Sequence, residues 1–173
     1  MILTKNILYK NFSIKNYKSH SYRKLELILK NKNEVLKSLT TEYKYSFSKI
    51  LIKKFKNFST MRIIGMGGSI LGAKAIKSFL NFKIKKKEVF VDNLLPHRNL
   101  LENDKKILNL VISKSGNTLE TITNVNILIK KNQKKIFITE NKENYLRVSG
   151  NKLKAEIINH NNFIGGRYSV LSE

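Results

Sequence analysis

From Met61 onward, short apolar runs alternate with longer amphipathic ones, and this alternation limits the folds open to the chain more than any other feature. Strands are expected over 62–65, 88–92, 107–112, 135–139 and 155–158, and helices over 69–80, 118–131 and 142–148. Apolar runs too short for helices, set between helical patterns, are what a strand buried on both faces requires. The βαβα order therefore predicts an α/β domain, three layers deep (αβα), around a five-stranded parallel sheet. Right-handed crossovers would bring every strand's C-terminal end to one edge. Open α/β sheets bind ligands at that edge.

The preceding residues read differently. Tyr22, Leu25, Leu29, Leu36 and Leu39 recur at roughly helical spacing, and Phe47, Ile50, Leu51 and Phe55 do the same within 43–58. These are expected to be helices packing beside the sheet, so that 1–58 forms a helical segment laid on a domain of 59–173. No internal repeat or glycine-rich linker divides the chain, and Pro96 is its single proline.

Composition narrows the function classes. No apolar run reaches the ~18–20 residues of a membrane-spanning helix, so no membrane partner is expected. Lysines interrupt the apolar positions of the first eighteen residues, which argues against a signal peptide. Cysteine is absent, which removes disulfide and thiolate chemistry and makes a cytoplasmic location the expectation. The net charge of +22 invites a nucleic-acid reading. The lysines are scattered, though, among many asparagines and isoleucines, as AT-rich codons would produce, with no basic-aromatic interleaving. A solvated lysine surface is the reading adopted, with no nucleic-acid partner. Such a surface draws anionic metabolites at low ionic strength.

Two βα junctions carry the chemistry. Gly65-Met66-Gly67-Gly68-Ser69 follows the first strand. It is not a P-loop, because Gly72 is followed by Ala73. It is not a dinucleotide fingerprint either, because Ile70 stands where a small residue is needed. A glycine turn before a helix start remains, with amides and the helix dipole favouring an anion, or simply a tight turn capped by Ser69. The second junction, Ser113-Lys114-Ser115-Gly116-Asn117-Thr118, sets three hydroxyls and an ammonium around a glycine ahead of another helix. That donor set suits a phosphate monoester, whereas a capping role for Asn117 or Thr118 accounts for one polar side chain only. Near the end, Gly165-Gly166-Arg167-Tyr168-Ser169 can bring a permanently charged guanidinium close to a ligand, or form a surface turn.

Taken in order, IGMGGSILG at 64–72, SKSGNTLET at 113–121 and GGRYSVLS at 165–172 resemble the glucose-6-phosphate isomerase (phosphoglucose isomerase) family, over roughly residues 20–173. The resemblance implies a sugar-isomerase (SIS) domain and reversible conversion of glucose 6-phosphate to fructose 6-phosphate, in glycolysis and gluconeogenesis. It implies no metal or organic cofactor, and a homodimer in the full-length form. Gly68 and Ser69 would sit beside the sugar phosphate. Ser113, Lys114, Ser115 and Thr118 would grip it. Arg167 would be the catalytic arginine that stabilises the cis-enediolate. Asn117 departs from the threonine common in the second loop.

Family members are far longer, and their proton-transfer glutamate and ring-opening histidine and lysine lie downstream of the GGRYS motif. The expectation is therefore an N-terminal fragment or truncated product that binds sugar phosphate weakly, without appreciable turnover. His97, between Pro96 and Arg98, is expected in a solvent-exposed loop, and His20 and His160 have no motif context; none of the three is expected to be catalytic. The alternative is a non-catalytic SIS module of a regulator, which would leave the GGRYS motif without a role.

Overall fold

The computed structural model describes residues 20–31, 33–94 and 106–172. Residues 1–19 and His97, with its neighbours Pro96 and Arg98, lie outside the described residues. Five strands form one sheet: β1 (Thr60–Gly65), β2 (Lys87–Val91), β3 (Ile107–Ile112), β4 (Lys134–Glu140) and β5 (Glu156–His160). They are all parallel, in the order β2-β1-β3-β4-β5. The helices are α1 (His20–Lys30), α2 (Glu34–Lys37), α3 (Lys49–Lys54), α4 (Gly68–Phe79), α5 (Leu119–Leu128) and α6 (Tyr145–Lys152), and a 3-10 helix runs over Gly166–Leu171.

The predicted sheet is present, and the strand order adds what periodicity could not supply. The chain winds from β1 to β2 in one direction, returns past β1 to β3, and then winds through β4 to β5 in the other. Reversing direction with right-handed crossovers puts the helices on opposite faces. On one face Val125 and Leu128 of α5 and Leu146 of α6 pack with Ile64, Val111 and Phe137. On the other, Phe55, with Leu51 of α3 beside it, packs against Leu108, Ile136, Ile138 and Ile158. Fully burying one such side chain is worth about 1.5–3 kcal/mol, so these two layers supply most of what holds the sheet.

Several element limits differ from the periodicity reading because caps decide them. Asn144 is extended and its Oδ1 accepts from the Arg147 N–H at 2.9 Å, so α6 begins at Tyr145 rather than 142. Ile129 leaves helical geometry (ψ 116°), which ends α5 ahead of 131. Ser48 is extended and its Oγ accepts from the Leu51 N–H at 3.2 Å, so the helix expected over 43–58 is confined to α3. Ahead of it three rings meet in sequence instead: Tyr43 meets Tyr45 edge to face, with centroids 5.4 Å apart, and Tyr45 stacks on Phe47 at 5.2 Å. Ile50 is 79% exposed, whereas Phe47, Leu51 and Phe55 lie on the sheet as expected. Tyr22, Leu25 and Leu29 do not: they are 60%, 50% and 58% exposed, so the apolar stripe of α1 is not buried against the sheet.

Candidate functional site

The site is built where the winding reverses. β1 and β3 are hydrogen-bonded neighbours, and Gly65 pairs in register with Ile112. The two junction loops therefore leave the sheet side by side, at the same level and on the same edge. This is the switch-point crevice in which doubly wound sheets hold ligands.

The first loop depends on glycine. Gly67 has φ 50° and ψ −120°, a conformation closed to side-chain-bearing residues, and it turns β1 into α4 within three residues. A Cβ on Gly65 would lie 2.9 Å from the Ile112 carbonyl oxygen, so the bare backbone keeps β1 against β3 here. The amides expected to be free for an anion are partly spent. Ser69 N–H donates to the Met66 carbonyl at 3.0 Å, and the Ile70 and Leu71 N–H groups both reach the Gly67 carbonyl.

The second loop is pinned by its own hydroxyls. Ser113 is 3% exposed. Its Oγ accepts from the Gly116 N–H at 3.2 Å and lies 3.1 Å from Thr118 Oγ1, which latches the loop across its base. The exposed Ser115 hydroxyl accepts from the Asn117 N–H at 3.3 Å. Thr118 occupies the N-cap position of α5 without capping it. Gly116 has φ 67°, and a Cβ there would overlap the Asn144 side chain. Asn117, the departure noted above, braces a second helix: its Oδ1 accepts from the Tyr145 N–H at 3.0 Å. At the start of α5, Leu119, Glu120 and Thr121 have no intrahelical carbonyl for their N–H groups, as at any helix start.

Lys114 is the cation that this loop turns inward. Its Nζ is 3.5 Å from Glu140 Oε1, while Lys142 Nζ is 3.2 Å from Glu140 Oε2. Burial pushes the Glu140 carboxyl up, but hydrogen bonds and charge from Lys142 and Lys114 outweigh it and hold the group below its ordinary value.

The third motif closes the site from above. Gly165 runs along the Lys114 side chain: a Cβ there would be 3.3 Å from Lys114 Cδ and 3.2 Å from Nζ. Gly166 (φ 57°) opens the 3-10 helix directly on the start of α4, where a Cβ on Gly68 would be 2.6 Å from Gly166 Cα. One turn on, Gly72 leaves the room that Val170 fills. Between these elements lies a cavity of about 180 Å³, lined by Gly68, Ser69, Lys114, His160, Gly166 and Ser169, with Leu110, Ile112 and Ile138 as its floor.

The structure thus gathers Gly68, Ser69 and Lys114 around one cavity. It does not bring Ser113, Ser115, Thr118 or Arg167 to the wall of that cavity. Arg167 stands exposed at the beginning of the 3-10 helix, with no ion-pair partner among the described residues. His160 lines the cavity, although the sequence offered no motif for it. The signal was its place at the end of the fifth strand, on the edge where the loops converge.

Among known proteins, residues 30–173 match the family model of phosphoglucose isomerase. The chain is 37% identical over 131 residues to the glucose-6-phosphate isomerase of Methanocaldococcus jannaschii, covering 69% of this chain and 32% of that protein. It spans 30–33% of the length of four such curated relatives. A hypothetical protein of Thermus thermophilus superposes with a TM-score of 0.62 at 23% identity, over 88% of this chain and 40% of that one. A putative phosphosugar isomerase from Bacillus subtilis superposes with a TM-score of 0.53 at 18% identity, over 71% of this chain and 39% of the other. The fold is that of a three-layer αβα SIS domain. With the family model matched over nearly all of the described chain, this protein belongs to the phosphoglucose isomerase family.

Proposed function

We propose that this chain supplies the phosphate-holding part of an aldose–ketose isomerase that interconverts glucose 6-phosphate and fructose 6-phosphate. The observation that carries the proposal is the register pair Gly65–Ile112, which sets both junction loops at one switch point. In this reading Lys114 exchanges Glu140 for the phosphate, a trade of one oxyanion for another. The hydroxyls of Ser69, Ser115 and Thr118 and the first amides of α5 complete the donor set, and Ser113 and Gly116 hold the loop in shape. Gly68 lets the third motif approach, and Arg167 provides fixed positive charge for the enediolate. The assembled enzyme is proposed to be a cytoplasmic homodimer that uses neither a metal nor an organic cofactor.

For residues 1–173 alone we expect sugar-phosphate binding without appreciable turnover. Calorimetric titration with glucose 6-phosphate should show saturable binding in the millimolar range, while glucose shows none. Absence of heat for both would remove the binding site. A coupled assay should give isomerase activity only when the remaining length of the relatives is supplied. No activity in that reconstituted form would remove the enzyme assignment.

A further inference from the structure

His160 ends β5 and is 7% exposed. Its Nε2 lies 3.0 Å from the Ile164 carbonyl oxygen. A carbonyl can only accept, so Nε2 carries a proton, and in the neutral ring Nδ1 is then the lone pair. The turn between is tight: Ile164 N–H donates to the Asn161 carbonyl at 3.3 Å, and Phe163 N–H donates to Asn161 Oδ1 at 2.9 Å. Ile164 is wholly buried, and the next residues are Gly165, which lies on the Lys114 side chain, and Gly166, which lies on Gly68.

We propose that His160 is a positioning residue for the Gly165-Gly166-Arg167 segment: its Nε2–H ties the Ile164 carbonyl to the end of β5, and the seating of Gly166 on α4 and of Gly165 on Lys114 follows from that tie. The site thereby has a third support, from the sheet itself, beside the two junction loops. Other observations point the same way. Burial holds the imidazole below its ordinary titration range, the Ile164 carbonyl raises it, Lys114 lowers it and Glu140 raises it, with a net lowering. A neutral ring, with its tautomer fixed by the Ile164 carbonyl, adds no further cation beside Lys114. The proposal rests on the sugar-phosphate reading only for what the segment serves; the tie can be tested without it.

The experiment is NMR on the full 173-residue chain, labelled with ¹⁵N. Wild type at neutral pH should show His160 as the Nε2–H tautomer. H160Q, whose amide can still donate, should leave the Gly68, Gly165 and Gly166 amide signals near their wild-type positions and hold glucose 6-phosphate within about twofold. H160L, which cannot donate, should shift those amides, leave those of β1 to β3 in place, and weaken glucose 6-phosphate at least about fivefold, as loss of one hydrogen bond does. An Nδ1–H tautomer overturns the proposal. So does H160L that leaves Gly165, Gly166 and the affinity unchanged, or H160Q that behaves as H160L does. Should H160L unfold, a folded H160Q with unmoved glycine amides supports the tie, and an equally unfolded H160Q overturns it. If wild type does not bind glucose 6-phosphate, the functional reading falls, while the tautomer and the glycine shifts still decide the tie.

Discussion

Gly68 and Gly166 meet backbone to backbone: a Cβ on the first would stand 2.6 Å from the Cα of the second. Residues almost a hundred positions apart are thus joined where neither carries a side chain, in the wall of the cavity. The contact explains why a glycine follows the turn-forming Gly67. Gly67 makes the bend, and Gly68 makes the room.

Gly68→Ala should therefore lower stability by about 1–3 kcal/mol, the usual cost of overpacking. The 3-10 helix should lift from α4, and glucose 6-phosphate affinity should fall with it. Urea unfolding measures the first effect and calorimetry the second. Unchanged midpoint and affinity would mean that the contact does not hold the segment.

Lys114→Ala should weaken phosphate-ester binding about tenfold, as loss of one charge-assisted hydrogen bond does. Ser113→Ala should weaken it too, through the loop, because its Oγ bonds both Gly116 N–H and Thr118 Oγ1. Ser169→Ala should have less effect than either, since that hydroxyl donates to the Gly166 carbonyl at 2.8 Å. Equal and negligible effects of the first two in a titration would take the loop out of the site.

Asn144→Ala should destabilise the fold by about 1–2 kcal/mol, as loss of a helix cap does. Asn144 also donates to Thr139 Oγ1 at 3.1 Å and to the Lys142 carbonyl at 3.0 Å, so it joins the end of β4 to α6. Its neighbour Gly116 should loosen with it. Hydrogen exchange of the Gly116 amide would report this, and unaltered protection would contradict it.

Stability should depend on pH in two windows. Burial lowers the His160 pKa below its ordinary 6.5, so the unfolded chain binds this proton more readily than the folded one. Its contribution is complete above 6.5 and is lost as pH falls through the lower folded value. Glu140, also lowered despite burial, contributes fully above its ordinary 4.5 and loses that contribution as pH falls further. Denaturant midpoints taken between pH 7 and 4 should decline for wild type and decline less for H160Q over the upper window. Identical curves would show that the buried imidazole is not linked to folding.

Much of this was readable from local pattern. Strand lengths, helix periods and the glycine and hydroxyl clusters at 65–69 and 113–118 depend on neighbours in sequence, and each was found near its expected place. The misplaced limits came from caps, where a single side chain such as Ser48 or Asn144 overrides the period around it. The exposed stripe of α1 shows the opposite limitation: amphipathic spacing states that a face could be buried, not what buries it.

The sequence by itself determined that this chain builds a parallel sheet with polar loops at one edge, because alternation and turn chemistry are short-range. Only the tertiary structure decided that β1 lies beside β3 and that Gly68 receives Gly166. Those contacts join residues far apart in the chain. Which pairs meet is settled by how the layers pack and by which backbone groups burial obliges to bond, and no local pattern carries that information.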